Sequence, residues 1–484
     1  MMKVSEYAKY DGIGLAELVK ARQVSPRELA ETALEAIDAL NDKLNAVVAK
    51  TPEETERALR EGPGKGPFEG VPFLIKDVGS HFANVPMEFG SRLFEGMVFP
   101  YDNELATRFK KSGVVAVGRS NIPEFGASVS TESVKYGPCR NPWNTAHTPG
   151  GSSGGAAAAV AAGMVPVAHA NDGGGSIRAP ASCCGVFGLK PSRFRMPWGP
   201  DQDEGIFGLG SELIVSRTVR DSAAMLDATA GADVGARYLL PEPPISYLTA
   251  SQRDPKRLKI AFSFTPPEGA PEVHAECKQA VLDAAKLCEE LGHEVFEATP
   301  DVTHDEACAV FRDMAAPMMA GAVQKVCAAT GRQVGPDNFE ATTRELLKHG
   351  ANMSAVDLAD AFSNANTVSR KLGHFFTKCD VWLTPVLSSP PLKLGVLNAN
   401  EEGVSAHQWI RKLMDFAPFC AMFNGSGQPA MSVPLHWTKD GLPVGVHFVG
   451  RFADELTLFH LAGQLERARP WIDRVPPVSV LRLN

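Results

Sequence analysis

The chain has 484 residues, 44% of them hydrophobic and 21% charged, with a formal net charge of -8. Such a composition is that of an ordinary soluble globular protein, long enough for two or three average domains or for one large layered structure. The acidic balance and the lack of Lys/Arg runs argue against a nucleic-acid surface, and the longest small-apolar run, Ala156 to Ala168, is too short for a bilayer and is broken by Gly163 and Pro166. With no signal-peptide pattern at its start and nine cysteines without paired spacing, the chain is expected in a reducing cytoplasm.

In chain order, Ser25-Pro26-Arg27-Glu28 reads as a capping box with proline at the first helical position. Leu29, Ala33, Ile37 and Leu40 then form one apolar helical face. Thr51-Pro52-Glu53-Glu54 repeats the device. After a break at Gly62 to Gly70, the apolar run Val71-Pro72-Phe73-Leu74-Ile75 reads as a strand ending in Lys76-Asp77. A helix is predicted from Asp102 to Gly113 and a short strand over Val114 to Gly118, a βα alternation that implies a buried sheet covered by helices. The segment from Arg119 to Asn144 is loop-rich and holds Thr131-Glu132-Ser133 and Tyr136-Gly137.

Two glycine clusters follow. Pro149-Gly150-Gly151-Ser152-Ser153-Gly154-Gly155 leads into an alanine-rich helix closed by Gly163, and Val165 to Ala170 reads as a buried strand delivering Asn171-Asp172-Gly173-Gly174-Gly175-Ser176-Ile177-Arg178. Further on, Leu258 to Phe262, Val295-Phe296, Val381 to Leu383, Met431 to Val433 and Val444 to Val449 read as strands, Pro271 to Leu291 as a helix, and 304 to 376 as mainly helical.

The chemistry suggested by these stretches is acyl transfer. Bare backbone N–H groups at Gly173, Gly174 and Gly175 can curl into a nest for a developing oxyanion, and Ser176 places a hydroxyl beside it. A serine needs a base. His169 lies in an apolar strand and reads as a buried supporting residue. Lys76, at a strand end, is either a surface or Asp77-paired cation or, if buried, a neutral amine able to accept a proton. Cys183-Cys184 reads as packing behind the nucleophile, and Met318, Met319, Phe416 and Phe419 either wall an apolar pocket or belong to plain core.

Together, Lys76, the Gly-Gly-Ser-Ser-Gly-Gly block at 150–155 and the Gly-Gly-Ser-Ile-Arg block at 174–178 resemble the amidase signature family. Asn141-Pro142-Trp143-Asn144 and Gly425-Ser426-Gly427-Gln428-Pro429-Ala430 extend the resemblance over nearly the whole chain. The wording Ala168-His169-Ala170-Asn171-Asp172 and the tail Pro470-Trp471 are similar to the bacterial branch that includes the hydrolase of the cyclic nylon dimer.

The resemblance implies one large α/β/α sandwich with a central mixed β-sheet over residues 1–484: a helical part to about 62, a signature core at about 63–230 and a C-terminal part from about 231 completing sheet and pocket. It implies a Ser-Ser-Lys triad, with Ser176 as acylated nucleophile, Ser152 as bridging serine after a cis peptide bond and Lys76 as base. It also implies an oxyanion hole from the N–H groups of Gly173, Gly174, Gly175 and Ser176, with Asp172 and Arg178 bracing the loop. No metal or cofactor is called for; the expected partner is a small-molecule amide, with a homodimer common among relatives and no nucleic acid or membrane. Where relatives often carry Ser or Thr before the nucleophile, this chain has Asn171 and Gly173, and Ala156 replaces a frequent third serine. The alternative activity is that of a glutaminase subunit in a tRNA-dependent amidotransferase, which would reveal itself through co-purifying subunits. A binding protein without activity is disfavoured by the intact Lys76, Ser152 and Ser176, and a phosphate loop by the lack of a following Gly-Lys-Ser/Thr.

Overall fold

The computed structural model describes residues 2–483. Its strands are β1 (Val47–Lys50), β2 (Pro72–Lys76), β3 (Val115–Ser120), a short hairpin of β4 (Glu132–Ser133) and β5 (Gly137–Pro138), β6 (Val167–Asp172), β7 (Phe187–Lys190), β8 (Ser211–Ser216), β9 (Lys259–Phe262), β10 (Glu294–Glu297), β11 (Val381–Pro385), β12 (Ala430–Trp437) and β13 (Pro443–Gly450). All except the hairpin join one 11-stranded sheet in the order β1-β3-β2-β6-β8-β7-β12-β13-β11-β9-β10. The sheet is mixed: β2 runs parallel to β3 and β6, whereas β8 is antiparallel to both β6 and β7. Helices cover it, so the central strands are buried along their whole length and read as apolar runs.

Register decides what meets at the site. Phe73 and Leu74 of β2 pair with Val167 and Ala168 of β6, so the two parallel strands end side by side and present Lys76 and Asp172 at the same edge. Across the antiparallel ladder Asn171 faces Glu212 and Asp172 faces Ser211. Because side chains alternate along a strand, His169, Asn171 and Glu212 project from one face.

Local signals explain most boundaries. Ser25 accepts the Glu28 N–H at the head of the helix Pro26–Leu44, with Pro26 at its first position. Thr51 was expected to cap in the same way, but its hydroxyl turns to the Ala116 carbonyl in β3 at 3.2 Å and makes no cap hydrogen bond for the helix Pro52–Glu61. The predicted strand from Val165 starts at Val167, because Pro166 has no N–H to give a ladder. The helix expected from Pro271 begins at Ala275, after His274 has accepted the Glu276 N–H. The alanine-rich helix Gly154–Ala162 ends at left-handed Gly163 and is buried almost throughout; a Cβ on Gly155 would meet the backbone at Ala46 and Asn121, so glycine there permits the helix to lie against that loop. The region 304–376 forms three helices, His304–Thr330, Ala341–Asn352 and Ala355–Phe375. A second apolar cluster, containing Leu93, Phe94, Phe339, Trp409 and Leu413, lies apart from the main core. None of the helices among the described residues is long and apolar enough to cross a membrane.

Candidate active site

Lys76 is fully buried at the end of β2. Its Nζ lies 2.8 Å from Ser152 Oγ, 2.8 Å from Ser153 Oγ and 2.5 Å from Asn171 Oδ1. Burial pushes its pKa from the ordinary lysine value of 10.5 down to about 7, against the opposing pull of Glu212 and Asp172. Asp77 is not its partner: that carboxylate pairs with Arg119 at 2.6 Å and accepts the Tyr136 hydroxyl at 2.8 Å.

The hydrogen bonds around Nζ define its donors. Asn171 spends its amide N–H groups on the Val78 carbonyl at 2.9 Å and on Glu212 at 3.4 Å, so its oxygen is the atom offered to lysine. Ser153 donates its hydroxyl to the Asn171 carbonyl at 3.2 Å, so its oxygen also accepts from lysine. A neutral amine has two N–H groups and one lone pair. In that neutral form, N–H groups directed to Ser153 and Asn171 leave the lone pair for the hydroxyl of Ser152; in the ammonium form the same three oxygens accept from Nζ. Behind this set, the Lys76 N–H donates to His169 Nδ1 at 3.3 Å, which places the imidazole proton on Nε2, 2.5 Å from Glu212. His169 is therefore a buried supporting residue, and it contributes through backbone and carboxylate contacts.

Ser152 follows a cis Gly151–Ser152 peptide and is buried. Ser176 is half-buried, and its carbonyl accepts the Ser153 N–H at 3.3 Å, which holds the two serine loops side by side. The intervening glycine loop is shaped by Asp172, whose carboxylate accepts the N–H groups of Gly175 at 2.7 Å and Ile177 at 3.1 Å. That corrects one expectation: the Gly175 N–H is committed to Asp172 and is not available to an oxyanion. The N–H groups of Gly173, Gly174 and Ser176 take no acceptor among the described residues.

Asp172 and Arg178 form a bidentate pair, Nε–Oδ2 and Nη2–Oδ1 both at 2.9 Å, with both side chains fully buried. Burial works to raise the Asp172 pKa, but Arg178 and then Asn424 overcome it and hold the carboxyl well below the usual range. Asn424 also joins the two: its oxygen accepts from Arg178 Nη2 at 2.7 Å and its amide donates to both the carbonyl and Oδ1 of Asp172 at 2.9 Å. Arg178 Nη1 donates to the Cys420 carbonyl at 3.1 Å and lies 3.2 Å from His447 Nε2.

Three apolar side chains press on the glycine loop. A Cβ on Gly173 would meet Ile206, one on Gly174 the Phe311 ring and one on Gly175 the Cys420 side chain. Of the residues expected either to wall a pocket or to belong to plain core, Phe419 lies in the main core beside Trp382, and Met319 and Phe416 in the second cluster. Cys183 and Cys184 are buried behind the loop in the helix Arg178–Cys184. Sequence reasoning missed Glu212 and Asn424. The first carries no motif, and the second sits immediately before the glycine block at 425–430, the one local signal for it.

The amidase family model matches residues 28–459, and the chain belongs to that family of hydrolases, which act on amide C–N bonds. It is 33% identical to the 6-aminohexanoate-cyclic-dimer hydrolase of Paenarthrobacter ureafaciens over 477 residues, 96% of each chain. A solved structure of 6-aminohexanoate cyclic dimer hydrolase superposes with a TM-score of 0.91 at 31% identity, covering 97% of this chain and 99% of the other. A bacterial aryl acylamidase of the amidase signature family gives a TM-score of 0.85 at 26% identity, with 98% and 97% covered. More distant is a glutamyl-tRNA(Gln) amidotransferase subunit from Thermotoga maritima, with a TM-score of 0.73 and 25% identity over 99% and 98% of the two chains.

Proposed function

We propose that this amidase works through an acyl-serine intermediate on Ser176, with Ser152 and Lys76 as proton relay. The observation that carries the reading is the Lys76 amine, fully buried and 2.8 Å from Ser152 Oγ, with burial lowering its pKa to about 7 so that it can take a proton from that hydroxyl. Ser176 Oγ attacks the amide carbon and passes its proton to Ser152 Oγ, whose own proton goes to Lys76 Nζ. The N–H groups of Gly173, Gly174 and Ser176 hold the oxyanion that forms. As the C–N bond breaks, Ser152 protonates the leaving amine and takes a proton back from Lys76. Water then attacks the ester by the same route, releasing the acid and restoring the hydroxyl of Ser176. Asp172 and Arg178 hold the loop in shape and touch no reacting atom.

Ile206, Phe311 and Cys420 favour an apolar acyl group, and the likeness to a cyclic-dimer hydrolase makes cyclic amides candidate substrates. The nine cysteines are all unpaired, which supports a reducing cytoplasm as the working compartment. The test is hydrolysis of aliphatic, aromatic and cyclic amides and of glutamine by the wild type and Ser176→Ala, with a chelator present. Release of amine or ammonia from a non-glutamine amide by the wild type alone supports the reading. Turnover of glutamine only, or of nothing until partner subunits are added, would favour the amidotransferase role instead.

A further inference from the structure

A cavity of about 740 Å³ opens on the catalytic edge of the sheet, lined neither by Ser152 nor by Ser176. One layer of side chains separates it from the glycine loop. Ile206 and Phe311 touch the loop, while their neighbours Phe207 and Met314 line the cavity. Its rim is aromatic: Phe362, Tyr238 and Phe452 are 42%, 44% and 47% exposed, and the Phe207 and Phe362 rings meet edge to face at 5.8 Å. Exposed aromatic side chains gathered around a concavity of this size mark a place where a ligand covers them.

Arg193 and Arg370 give that ligand a charge. Arg193 is fixed by Nε on the Gly208 carbonyl at 2.8 Å and by Nη2 on the Asn424 and Gly425 carbonyls at 3.0 and 2.5 Å. Its Nη1 makes no hydrogen bond among the described residues, and it has no ion-pair partner within 4 Å; the same holds for Arg370 on the rim. Among the described residues Glu204 is the one cavity carboxylate; its charge acts on Arg193, beyond the 4 Å of an ion pair, as well as on Arg237, 3.8 Å away outside the cavity. A guanidinium already positioned by backbone carbonyls loses little freedom when an anion binds, and its planar edge matches a carboxylate.

We propose that this cavity is a second binding site, separate from the catalytic serines, for an aromatic carboxylate: the carboxylate meets Arg193 and Arg370, and the ring lies among Phe207, Phe362, Tyr238 and Phe452. The site is joined to the catalytic loop. Arg193 holds Asn424 by its carbonyl, and the Asn424 amide holds Asp172. A bound acid therefore acts on the residue that shapes the glycine loop.

The test is calorimetric titration of the full-length protein with phenylacetate and, as the neutral control of similar shape, 2-phenylethanol. The expected result is saturable one-to-one binding of phenylacetate and at least tenfold weaker binding of the alcohol. Arg370→Glu weakens the acid at least tenfold and Phe362→Ala at least fivefold, while both variants, altered only at exposed positions, keep the wild-type melting temperature. Ser176→Ala binds phenylacetate as the wild type does, so the outcome does not depend on the catalytic assignment. Absence of saturable binding, equal affinity for acid and alcohol, or affinity unchanged by Arg370→Glu overturns the proposal.

Discussion

Lys76 Nζ and Asn171 Oδ1 stand 2.5 Å apart, and the Asn171 amide is directed towards the Glu212 carboxylate that also receives His169 Nε2. Asparagine here supplies an acceptor without adding a charge. Asn171→Asp places a carboxylate against the amine, and an opposite charge at that distance favours the ammonium form. The expected outcome is that the rising limb of kcat/KM against pH moves up by about one unit or more, with activity at pH 7 down about tenfold and recovering at pH 9. A loss equal at all pH values would mean that Asn171 acts only through packing.

The wild-type profile follows from the same burial. With the Lys76 pKa lowered to about 7, kcat/KM should rise with pH around that value, as the amine loses its proton. A limb at the ordinary lysine value would contradict a buried neutral base.

Stability should carry the same signature. Lys76 and Lys190 are both buried with pKa values lowered to about 7, chiefly by desolvation. Between that value and the ordinary 10.5 the unfolded chain binds more protons than the folded one, so each lysine makes stability rise with pH in this window. Below it, both states are protonated and the cost of the buried ammonium is present in full. The contribution is about 1.4 kcal/mol per pH unit for each group. Urea midpoints between about pH 7 and 8.5 should therefore show a positive slope from which Lys76→Met removes one share; taking the difference from wild type cancels the titration of the cysteines.

Arg178→Lys tests the brace. A single ammonium cannot satisfy both oxygens of Asp172, the Asn424 oxygen and the Cys420 carbonyl at once. Leaving a buried charge poorly paired costs about 3–5 kcal/mol, so a large drop in denaturation midpoint is expected. A change under 1 kcal/mol, about the worth of an exposed pair, would show the brace to be dispensable.

Two neighbouring glycines should respond differently. At Gly175, φ is +134° and a Cβ would lie 2.9 Å from that of Cys420, so Gly175→Ala strains the backbone and destabilises the fold. At Gly174 the obstacle is the Phe311 ring, 2.7 Å away, which can move. Gly174→Ala should mainly raise KM for bulky acyl groups, and Phe311→Ala in the same chain should restore it. Equal loss of stability in both variants would contradict this division.

What was legible in the sequence was what sits on short motifs. Lys76 ends an apolar run, the serines follow glycine clusters, and Asp172 and Arg178 lie six residues apart on either side of the glycine loop. The α/β alternation could be read because buried strands are apolar and helices carry their caps locally. What could not be read depends on register. Glu212 reaches the lysine's partners Asn171 and His169 only because β6 and β8 pair with Asn171 opposite Glu212, and Asn424 reaches Asp172 from 252 residues away. Thr51 failed as a cap because a distant carbonyl at Ala116 competes for its hydroxyl. The nest lost Gly175 for a similar reason: the Asp172 carboxylate claims an N–H that glycine content alone cannot assign.

The most direct test of the acyl-serine account is mass analysis of protein quenched during turnover of an amide substrate. The expected result is an acyl adduct on the peptide carrying Ser176, absent from Ser176→Ala and more abundant in the wild type at early times. An adduct on another residue, or amide hydrolysis persisting in Ser176→Ala, would contradict the assignment of Ser176 as nucleophile.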